Sequence, residues 1–436
     1  MNKLLNISYL FIFLFIFHCS LDTKTGFWTP KKKIEKEKEL NTKKLFKKDT
    51  VLNKELNPSY KINLTSNLIK NSFKNNHDNN NGRIDYNGSL KNISKFKFSK
   101  IDNFNQYEPE IIFEKNNVIF FDNKGYILKF DNSSKLLWKK NYYLKREKKS
   151  KPILFFANKG KILIVTDSLG KYYAINIDNG NLIWQKQSPN PFNSEIKIYK
   201  DRFFAIDFDN TLRCFSIKSG KEIWNIQTDK SFIKSQKKLS LIIVNEKIYF
   251  NNSTGDISAA DIENGNLLWQ TPTQGSQVYG DAFYLKTSDI IANNNAIFLS
   301  NNKNQFFSLD INSGNIIWEQ KINSYIRSTL IDDFIFSVST EGFMFVTNIN
   351  SGKIIRITDI FRVFKEKKRK TIKPVGFIIG TENTYLSTNH GRLIIIDTKS
   401  GKVKSVLKID RDKISRPFVL NQNLFIIKDN SIIKLN

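Results

Sequence analysis

The chain has 436 residues, of which 40% are hydrophobic and 13% aromatic, so it carries enough apolar material for a large folded core. Its two cysteines, Cys19 and Cys214, exclude a disulfide framework. The formal net charge of +28 would suit nucleic acid, anionic lipid or an acidic partner, but the Lys and Arg residues are spread along the whole chain. Composition alone therefore does not favour nucleic-acid binding.

Residues 1–19 are predicted to be an export signal. Lys3 supplies a short basic region, and Tyr9 to Phe17 is an uninterrupted apolar run. Counted from Leu4, the apolar stretch is about 14 residues long, which is shorter than the roughly 20 that a helix needs to span a bilayer. It fits the apolar region of a lipoprotein-type signal peptide, with an uncleaved anchor as the alternative. Export also argues against a nucleic-acid partner.

Cys19 is the predicted lipidation site. It stands directly after the apolar run, where a Cys accepts diacylglycerol in bacterial lipoproteins, and the attached acyl chains hold such proteins to a membrane surface. That motif prefers a small residue before the Cys, whereas this chain has His18. Cys214 lies in an alternating segment and is predicted to be a small, buried strand residue.

Residues 20–89 are predicted to be a disordered, Lys- and Asn-rich tether. The stretch from Lys31 to Lys48 is rich in charge, and Asn75 to Gly82 is almost entirely Asn, His and Asp. So few apolar residues bury too little surface to offset the entropy of ordering the chain. As an alternative, the Lys-rich part would rest on anionic lipid headgroups.

Residues 90–436 are predicted to form repeated β-structure. The clearest copy is Gly170 to Trp184, and the turn glycines of successive copies are 38 to 49 residues apart, which is the length of a propeller blade. The other copies are Gly125 to Trp138, Asn210 to Trp224, Gly255 to Trp269, Asn304 to Trp318, Gly342 to Arg356 and Gly391 to Ser405.

Each copy follows an apolar, β-branched run and contains two glycine turns, so it predicts four antiparallel strands. Such blades bury their faces only by stacking into a ring. The chain ends after Arg416 to Asn436, which supplies three strands, and the alternating segment Ile93 to Ser99 is predicted to supply the fourth. The expected fold is an all-β propeller of eight four-stranded blades, closed by an N-terminal strand in the C-terminal blade.

Five tryptophans occupy the same place in their repeats. They could serve as stacking platforms for a ligand, but their regular position favours packing between blades. They are Trp138, Trp184, Trp224, Trp269 and Trp318. Arg356 and Ser405 replace Trp in the last two copies, so the packing there is expected to be weaker or differently filled.

The Gly-x-x-x-Trp blade endings resemble those of propellers similar to pyrroloquinoline-quinone enzymes. With the signal, the short first blade and the truncated end, residues 90–436 resemble the lipoprotein scaffolds of the outer-membrane β-barrel assembly machinery within that family. The resemblance implies a non-catalytic protein on the periplasmic face of the outer membrane, anchored by lipid and monomeric within a complex. It also implies binding to the barrel-forming subunit and to nascent outer-membrane proteins, without a cofactor.

The resemblance points to two loops for partner contact. In the family a hydrophobic-then-basic pair carries one contact, and its nearest counterpart here is Phe232-Ile233-Lys234. A second, acidic contact would fall near Tyr284-Leu285-Lys286, where this chain has no carboxylate, so that contact is not carried over. Ser20 after Cys19 would suit sorting to the outer membrane.

Two other functions remain open at this stage. One is a different periplasmic binding module built on the same propeller. The other is a quinone-dependent dehydrogenase, but those enzymes have a vicinal Cys pair that this chain lacks. Of the histidines, only His390 lies in the predicted propeller, so a zinc site built from several histidines is not expected. The basic loop Lys365 to Lys370 is either solvated or contacts an acidic or lipid-headgroup partner.

Overall fold

The computed structural model describes residues 19–21, 28–30, 51–72, 77–229, 235–274 and 283–436. The chain forms two compact units, Met1–Thr50 and Val51–Asn436. In the first unit, strand β1 (Cys19–Leu21) pairs antiparallel with β2 (Trp28–Pro30). No helix among the residues described here is long and apolar enough to cross a membrane.

The second unit is a β-propeller of eight four-stranded antiparallel blades arranged in a ring. Blades 1 and 2 contain β4 to β7 (Ile112–Glu114, Asn117–Phe121, Ile127–Phe130, Leu136–Lys140) and β8 to β11 (Leu154–Lys159, Ile162–Asp167, Lys171–Asn176, Leu182–Gln187). Blades 3 and 4 contain β12 to β15 (Lys197–Tyr199, Arg202–Ile206, Thr211–Ser216, Glu222–Gln227) and β16 to β19 (Leu241–Val244, Lys247–Asn251, Ile257–Asp261, Leu267–Thr271). This architecture confirms the fold predicted from the repeats.

The remaining blades follow the same plan. Blades 5 and 6 contain β20 to β23 (Ile291–Ala292, Ala296–Asn301, Gln305–Asp310, Ile316–Gln320) and β24 to β27 (Thr329–Ile331, Phe334–Val338, Phe343–Asn348, Ile354–Asp359). Blade 7 contains β28 to β31 (Pro374–Ile379, Asn383–Thr388, Arg392–Asp397, Val403–Lys408), and blade 8 contains β32 to β34 (Phe418–Leu420, Asn423–Ile427, Ser431–Leu435) with β3 (Asn92–Lys97). Short helices α1 (Lys145–Lys149) and α2 (Glu366–Arg369) and a 3-10 turn (Phe104–Gln106) lie outside the blades.

The N-terminal strand β3 closes the ring as predicted. It pairs antiparallel with β34, with Phe96 opposite Ile432. Phe96 is fully buried and contacts Phe130 of blade 1 and Phe425 of blade 8, with ring centroids 5.7 and 6.1 Å apart. One alternating segment therefore completes the last blade and joins it to the first.

In each blade the first strand is innermost, and the inner strands of neighbouring blades adjoin around the axis. These strands are nearly continuous apolar runs such as Leu241-Ile-Ile-Val244 because a blade covers each of their two faces. The second and third strands carry most of the buried β-branched and aromatic residues. The connectors that lead from an outer strand to the next inner strand all leave at the same end of the ring, since every blade has four antiparallel strands.

The tryptophan of one blade packs against the second turn glycine of the next. Gly220 has φ +64°, and a Cβ atom there would lie 2.6 Å from Cζ3 of Trp184. The Trp184 indole N–H donates a hydrogen bond to the Ile217 carbonyl in the same turn, at 2.9 Å. The same packing of an indole ring on a turn glycine joins Trp138 to Gly180, Trp224 to Gly265, Trp269 to Gly314 and Trp318 to Gly352. The Gly and Trp of the repeat are thus contact partners across blade boundaries.

Arg356 takes the place of tryptophan in blade 6 and is fully buried. Its guanidinium donates to the carbonyls of Thr398 at 3.1 Å and Lys399 at 2.6 Å in the turn of blade 7, where the indole N–H would bond. A further bond of 3.0 Å reaches the Tyr60 carbonyl. In blade 6 the tryptophan position is therefore filled by an arginine that also bonds to the segment preceding the propeller. In blade 7 the residue at this position, Ser405, is exposed.

We predict that Gly220→Ala destabilises the propeller by about 2–4 kcal/mol, because the methyl group both forces a left-handed Ala and overlaps Trp184. Gly160→Ala is the matched control, since Gly160 has φ +55° but no atom within 4 Å of its would-be Cβ. The control should cost only about 1 kcal/mol. Urea unfolding of both variants measures the difference, and equal costs would contradict the interblade contact.

Candidate functional site

The segment before β3 lies on the propeller and enters its axis. We call residues 51–72 and 77–90 the strap. The carbonyl of His77 accepts a hydrogen bond from the Ile243 amide at 2.9 Å, and that of Asp78 accepts one from the Ala292 amide at 3.1 Å. The Ile84 amide donates to the Ile379 carbonyl at 2.8 Å. These partners belong to the inner strands of blades 4, 5 and 7, so the strap lines the axial channel.

Asparagine side chains suit this position because each amide both donates and accepts, as the edge of a strand does. The Asn80 side chain accepts from the Leu330 amide at 2.9 Å and donates to the Leu330 carbonyl at 3.1 Å. Asn79 is buried, with φ +62°. Its amide donates to Oε1 of Glu195 at 2.9 Å and to the Ile290 carbonyl at 3.0 Å.

The strap differs from the disordered tether expected for residues 20–89. In its described part, the chain packs on the ring from residue 51 onward, and only residues up to 50 form the separate unit. Low hydropathy predicts disorder only when a segment has no polar surface to pair with. Here the inner strand edges around the axis offer that surface, and these partners lie far away in the sequence.

A cluster of charged side chains fills the channel beside the strap. We call it the axial charge cluster; it consists of Glu108, Glu110, Glu195, Asp289, Lys237, Lys238, Arg327 and Arg416. Asp289 lies 2.6 Å from Arg327, and Glu110 lies 3.1 Å from Lys238. In blades 1, 3, 5, 6 and 8 the cluster residue stands two positions before the inner strand begins. Sequence reasoning missed the cluster, although that regular spacing was the signal for it.

Neighbouring positive charges lower the pKa of Glu110 and of Asp289 in the cluster. Burial alone would raise the pKa of Glu110, but the positive charges of Lys238, Arg416 and Arg327 outweigh it and lower that pKa to about 2. For Asp289 too, burial opposes ionisation, yet Arg327 and Lys238 hold its pKa well below the usual range. The cluster is thus a network of compensated charges in a low-dielectric channel.

The spaces left beside the strap are small. A cavity of about 70 Å³ lies between His77, Asn79, Glu195, Lys197 and Arg416, and others of about 20 Å³ adjoin the cluster. Spaces of this size have room for water molecules. A cofactor of quinone size needs a pocket of roughly 300 Å³ or more. The residues that line the channel in the described structure therefore do not fit a quinone cofactor.

The two loops singled out by the resemblance lie next to each other where the structure describes them. Phe232, Ile233 and Lys234 themselves fall outside the described residues. Directly after them, the Ser235 hydroxyl donates to the Leu285 carbonyl at 2.5 Å, which joins the connector between blades 3 and 4 to the connector between blades 4 and 5. Leu285 is buried, so the second connector is anchored beside the first.

The second connector presents two exposed aromatic side chains in place of the family's acidic contact. Phe283 is 52% exposed and Tyr284 is 68% exposed, and their rings are perpendicular with centroids 5.4 Å apart. Lys286 follows, with its ammonium over the ring of Tyr325. Adjacent exposed aromatics of this kind are typical of protein-binding surfaces.

The other sequence-predicted residues lie apart from these loops. Cys19 begins β1 in the first unit. Cys214 is buried in β14, and burial raises the pKa of its thiol to about 12. In the basic loop, Arg369 forms an ion pair of 2.7 Å with Asp359, while Lys367 and Lys370 are exposed.

We predict that Glu110→Gln destabilises the protein by about 3 kcal/mol at pH 7, because it leaves the cluster's positive charges without a partner. The folded-state pKa of Glu110 lies below the ordinary value of 4.5, so its contribution is fully present above pH 4.5 and is lost as the pH falls toward 2. The difference between wild type and variant should therefore shrink below pH 4.5. Urea unfolding at pH 7, 4.5 and 3.5 measures it.

The matched control is Asp102→Asn, which removes an exposed carboxylate that pairs with Lys151 at 2.7 Å. Solvent screens this pair, so the variant should differ little from wild type across the same pH range. A loss for Glu110→Gln that does not change with pH would contradict the ionised cluster.

Comparisons with known proteins agree with the propeller architecture. Residues 123–358 match the family model described as outer membrane protein assembly factor BamB. No curated protein sequence matches the chain.

Solved structures show the fold across most of the chain. BamB from Moraxella catarrhalis is 14% identical, with a TM-score of 0.64, and the match covers 80% of this chain and 99% of that one. Quinohemoprotein alcohol dehydrogenase from Comamonas testosteroni is 9% identical, with a TM-score of 0.61 over 81% of this chain and 78% of that one. The computationally designed protein Ika8 is 13% identical, with a TM-score of 0.58 over 78% and 99%.

These structural likenesses establish the propeller but do not separate its subfamilies. The family model does, because residues 123–358 make up more than half of the 436-residue chain and contain complete copies of the repeat. The chain belongs to the family of the outer membrane protein assembly factor BamB.

Proposed function

We propose that this protein is a non-catalytic scaffold of the outer-membrane β-barrel assembly machinery, held by a lipid on Cys19 at the periplasmic face of the outer membrane. The observation that carries the proposal is the family match over residues 123–358. The occupied axial channel supports it, since the position where a propeller enzyme would hold a cofactor is taken by Asn79, Asn80 and the axial charge cluster.

The partner in this proposal is the barrel-forming subunit of the machinery. Its binding surface is the pair of neighbouring connectors that carry Phe232-Ile233-Lys234 and Phe283-Tyr284. Aromatic side chains on a rigid support supply much of the binding energy of protein interfaces, at a small entropic cost. Here the buried Leu285 and the Ser235 hydrogen bond provide the rigid support.

The anchor in this proposal is Cys19 with the signal that precedes it. Acyl chains on this residue would hold the propeller near the membrane, where nascent barrel proteins arrive. The charge of +28 would further favour an anionic membrane surface, although the compensated axial cluster takes no part in that attraction.

We predict that the detergent-solubilised full-length chain co-purifies with the barrel-forming subunit of the same organism. The double variant Phe232→Ser, Ile233→Ser should weaken binding about tenfold or more, and so should Phe283→Ala with Tyr284→Ala, because both remove apolar contact area from one surface. Leu144→Ser is the matched control, since Leu144 is 59% exposed on the connector between blades 1 and 2. Titration by surface plasmon resonance measures the affinities.

Two results would count against the proposed partner. Absence of co-purification together with another stable partner would support a different periplasmic binding module. A quinone chromophore with alcohol oxidation in the purified protein would establish an enzyme instead.

We predict that Cys19→Ser shifts the protein from the membrane fraction to the soluble periplasmic fraction, because the acyl acceptor is lost. Cell fractionation followed by immunoblotting measures the shift, and Cys214→Ser is the control because it replaces the buried cysteine of β14. Retention of Cys19→Ser in the membrane would indicate an uncleaved anchor and would refute lipidation at this residue.

A further inference from the structure

The cavity beside the strap is lined by more basic than acidic side chains. Lys197, Arg327 and Arg416 line this space of about 70 Å³, together with the carboxylates of Glu110 and Glu195. Lys197 begins the inner strand of blade 3, and the two arginines stand two positions before the inner strands of blades 6 and 8. Three blades therefore bring positive charge to one point of the channel.

The charges around the cavity do not remove this excess. The axial charge cluster is balanced, with four carboxylates and four basic side chains, and Lys197 adds a fifth base. Asp78 of the strap adds a carboxylate near Lys197, and Lys413 adds an ammonium near Glu108. These bases together outnumber these acids by one.

Arg416 shares its carboxylate with two other bases. Its Nη2 atom lies 3.4 Å from Oε1 of Glu110, and the same oxygen lies 3.1 Å from the Lys238 ammonium and 3.8 Å from Nη2 of Arg327. Within the described residues this is the one ion pair that Arg416 forms, whereas Arg327 also lies 2.6 Å from Asp289. The surplus positive charge is therefore centred on Arg416.

Neutral contacts hold Arg416 in place without compensating its charge. The Asn81 side-chain oxygen accepts from Nη1 of Arg416 at 3.2 Å, and the guanidinium carbon lies 4.7 Å from the centre of the Phe418 ring. Burial and the charge of Arg327 both lower the pKa of Arg416, yet a guanidinium does not give up its proton in a protein. Since a buried charge without a partner is costly, this position favours a counter-ion.

A second arginine offers an unused donor to the same cavity. Nη2 of Arg327 is buried and donates no hydrogen bond within the described part of the chain, although it lies 2.6 Å from Oδ2 of Asp289. Buried donors in proteins nearly always have an acceptor. The strap brings the side-chain amides of Asn79 and Asn81 to the lining as well. The cavity thus combines surplus charge with hydrogen-bond donors.

The size of the cavity restricts what can compensate the charge. A space of about 70 Å³ has room for an ion of the size of water and a few water molecules. Organic ligands need roughly 300 Å³ or more, so a nucleotide or a lipid headgroup does not fit. An excess of one positive charge matches a single negative charge.

We propose that the cavity between Lys197, Arg327 and Arg416 binds a small inorganic monoanion of the chloride class. The anion would link blades 3, 6 and 8 to the strap at Asn79 and Asn81, and so hold the strap in the channel. A ligand that binds only the folded state stabilises it as the ligand concentration rises. The inference goes beyond the proposed assembly role and does not depend on it.

The test is thermal unfolding of the detergent-solubilised full-length chain in increasing chloride. Gluconate, which is too large for the cavity, replaces chloride so that the ionic strength stays constant. The Tm should rise by about 2 °C or more and then level off between about 1 and about 200 mM chloride. A Tm that does not respond to chloride would overturn the proposal. So would a larger rise with phosphate at equal concentration, because it would indicate a site for a divalent oxyanion.

The variant that removes the surplus charge is Arg416→Gln, which should lose most of the chloride-dependent rise whatever its own Tm. Arg202→Gln is the matched control, since Arg202 pairs with Glu263 at 2.8 Å and does not line the cavity. It should respond to chloride as wild type does. The net charge of +28 also attracts anions to the surface. An equal chloride response in all three proteins would indicate such diffuse binding and would overturn the site.

Two further measurements keep the proposal testable if Arg416→Gln does not fold. Glu195→Gln removes a negative charge from the cavity, so the chloride concentration for half of the Tm rise should fall about threefold or more. An unchanged or higher concentration would contradict the site. Bromide scatters X-rays anomalously, and crystals grown in bromide should show a peak beside Arg416 and Lys197. Peaks confined to the outer surface would overturn the proposal.

Discussion

The contact between a tryptophan and a glycine, which recurs at five of the eight blade boundaries, is the constraint on which the ring depends. At these boundaries a blade accepts the large side chain of its neighbour where its own turn has no Cβ atom. Trp184, for example, packs on Gly220, and the Trp184 indole N–H donates a hydrogen bond to the Ile217 carbonyl in the same turn. Arg356 preserves this bond where the aromatic ring is absent and extends it to the strap.

The axis of the ring is built on a different principle from its blade boundaries. The blade boundaries are apolar, and their contacts repeat around the ring. The channel is polar, and its charged and hydrogen-bonding groups are paired by side chains from several blades and by side-chain amides of the strap. Because these groups are buried or half-buried, each depends on the presence of the others. The channel consequently stabilises one arrangement of the strap and the blades.

The fold could be predicted from the sequence because its determinants are local and repeated. Turn glycines, alternating strands and the terminal Trp recur at blade length, and the unmatched segment Ile93 to Ser99 identified the closing strand. The strap could not be predicted, since the partners of Asn79 lie 116 to 211 residues away and its composition matches that of disordered chains. Apolar pairs in the outer strands, such as Leu182 and Ile183, could be read from the sequence, but only the strand register and the burial show that both side chains face outward.

The path of the strap has a consequence for the order in which the molecule folds. Ser72 bonds to Val419 across 347 residues, so the segment that is synthesised early finds its partner only after the last blade has emerged. Contacts of such long sequence separation form late and slowly. Before that contact forms, the blades can be held together only by packing on their neighbours. We therefore expect the strap to be inserted after the blades have stacked around the ring.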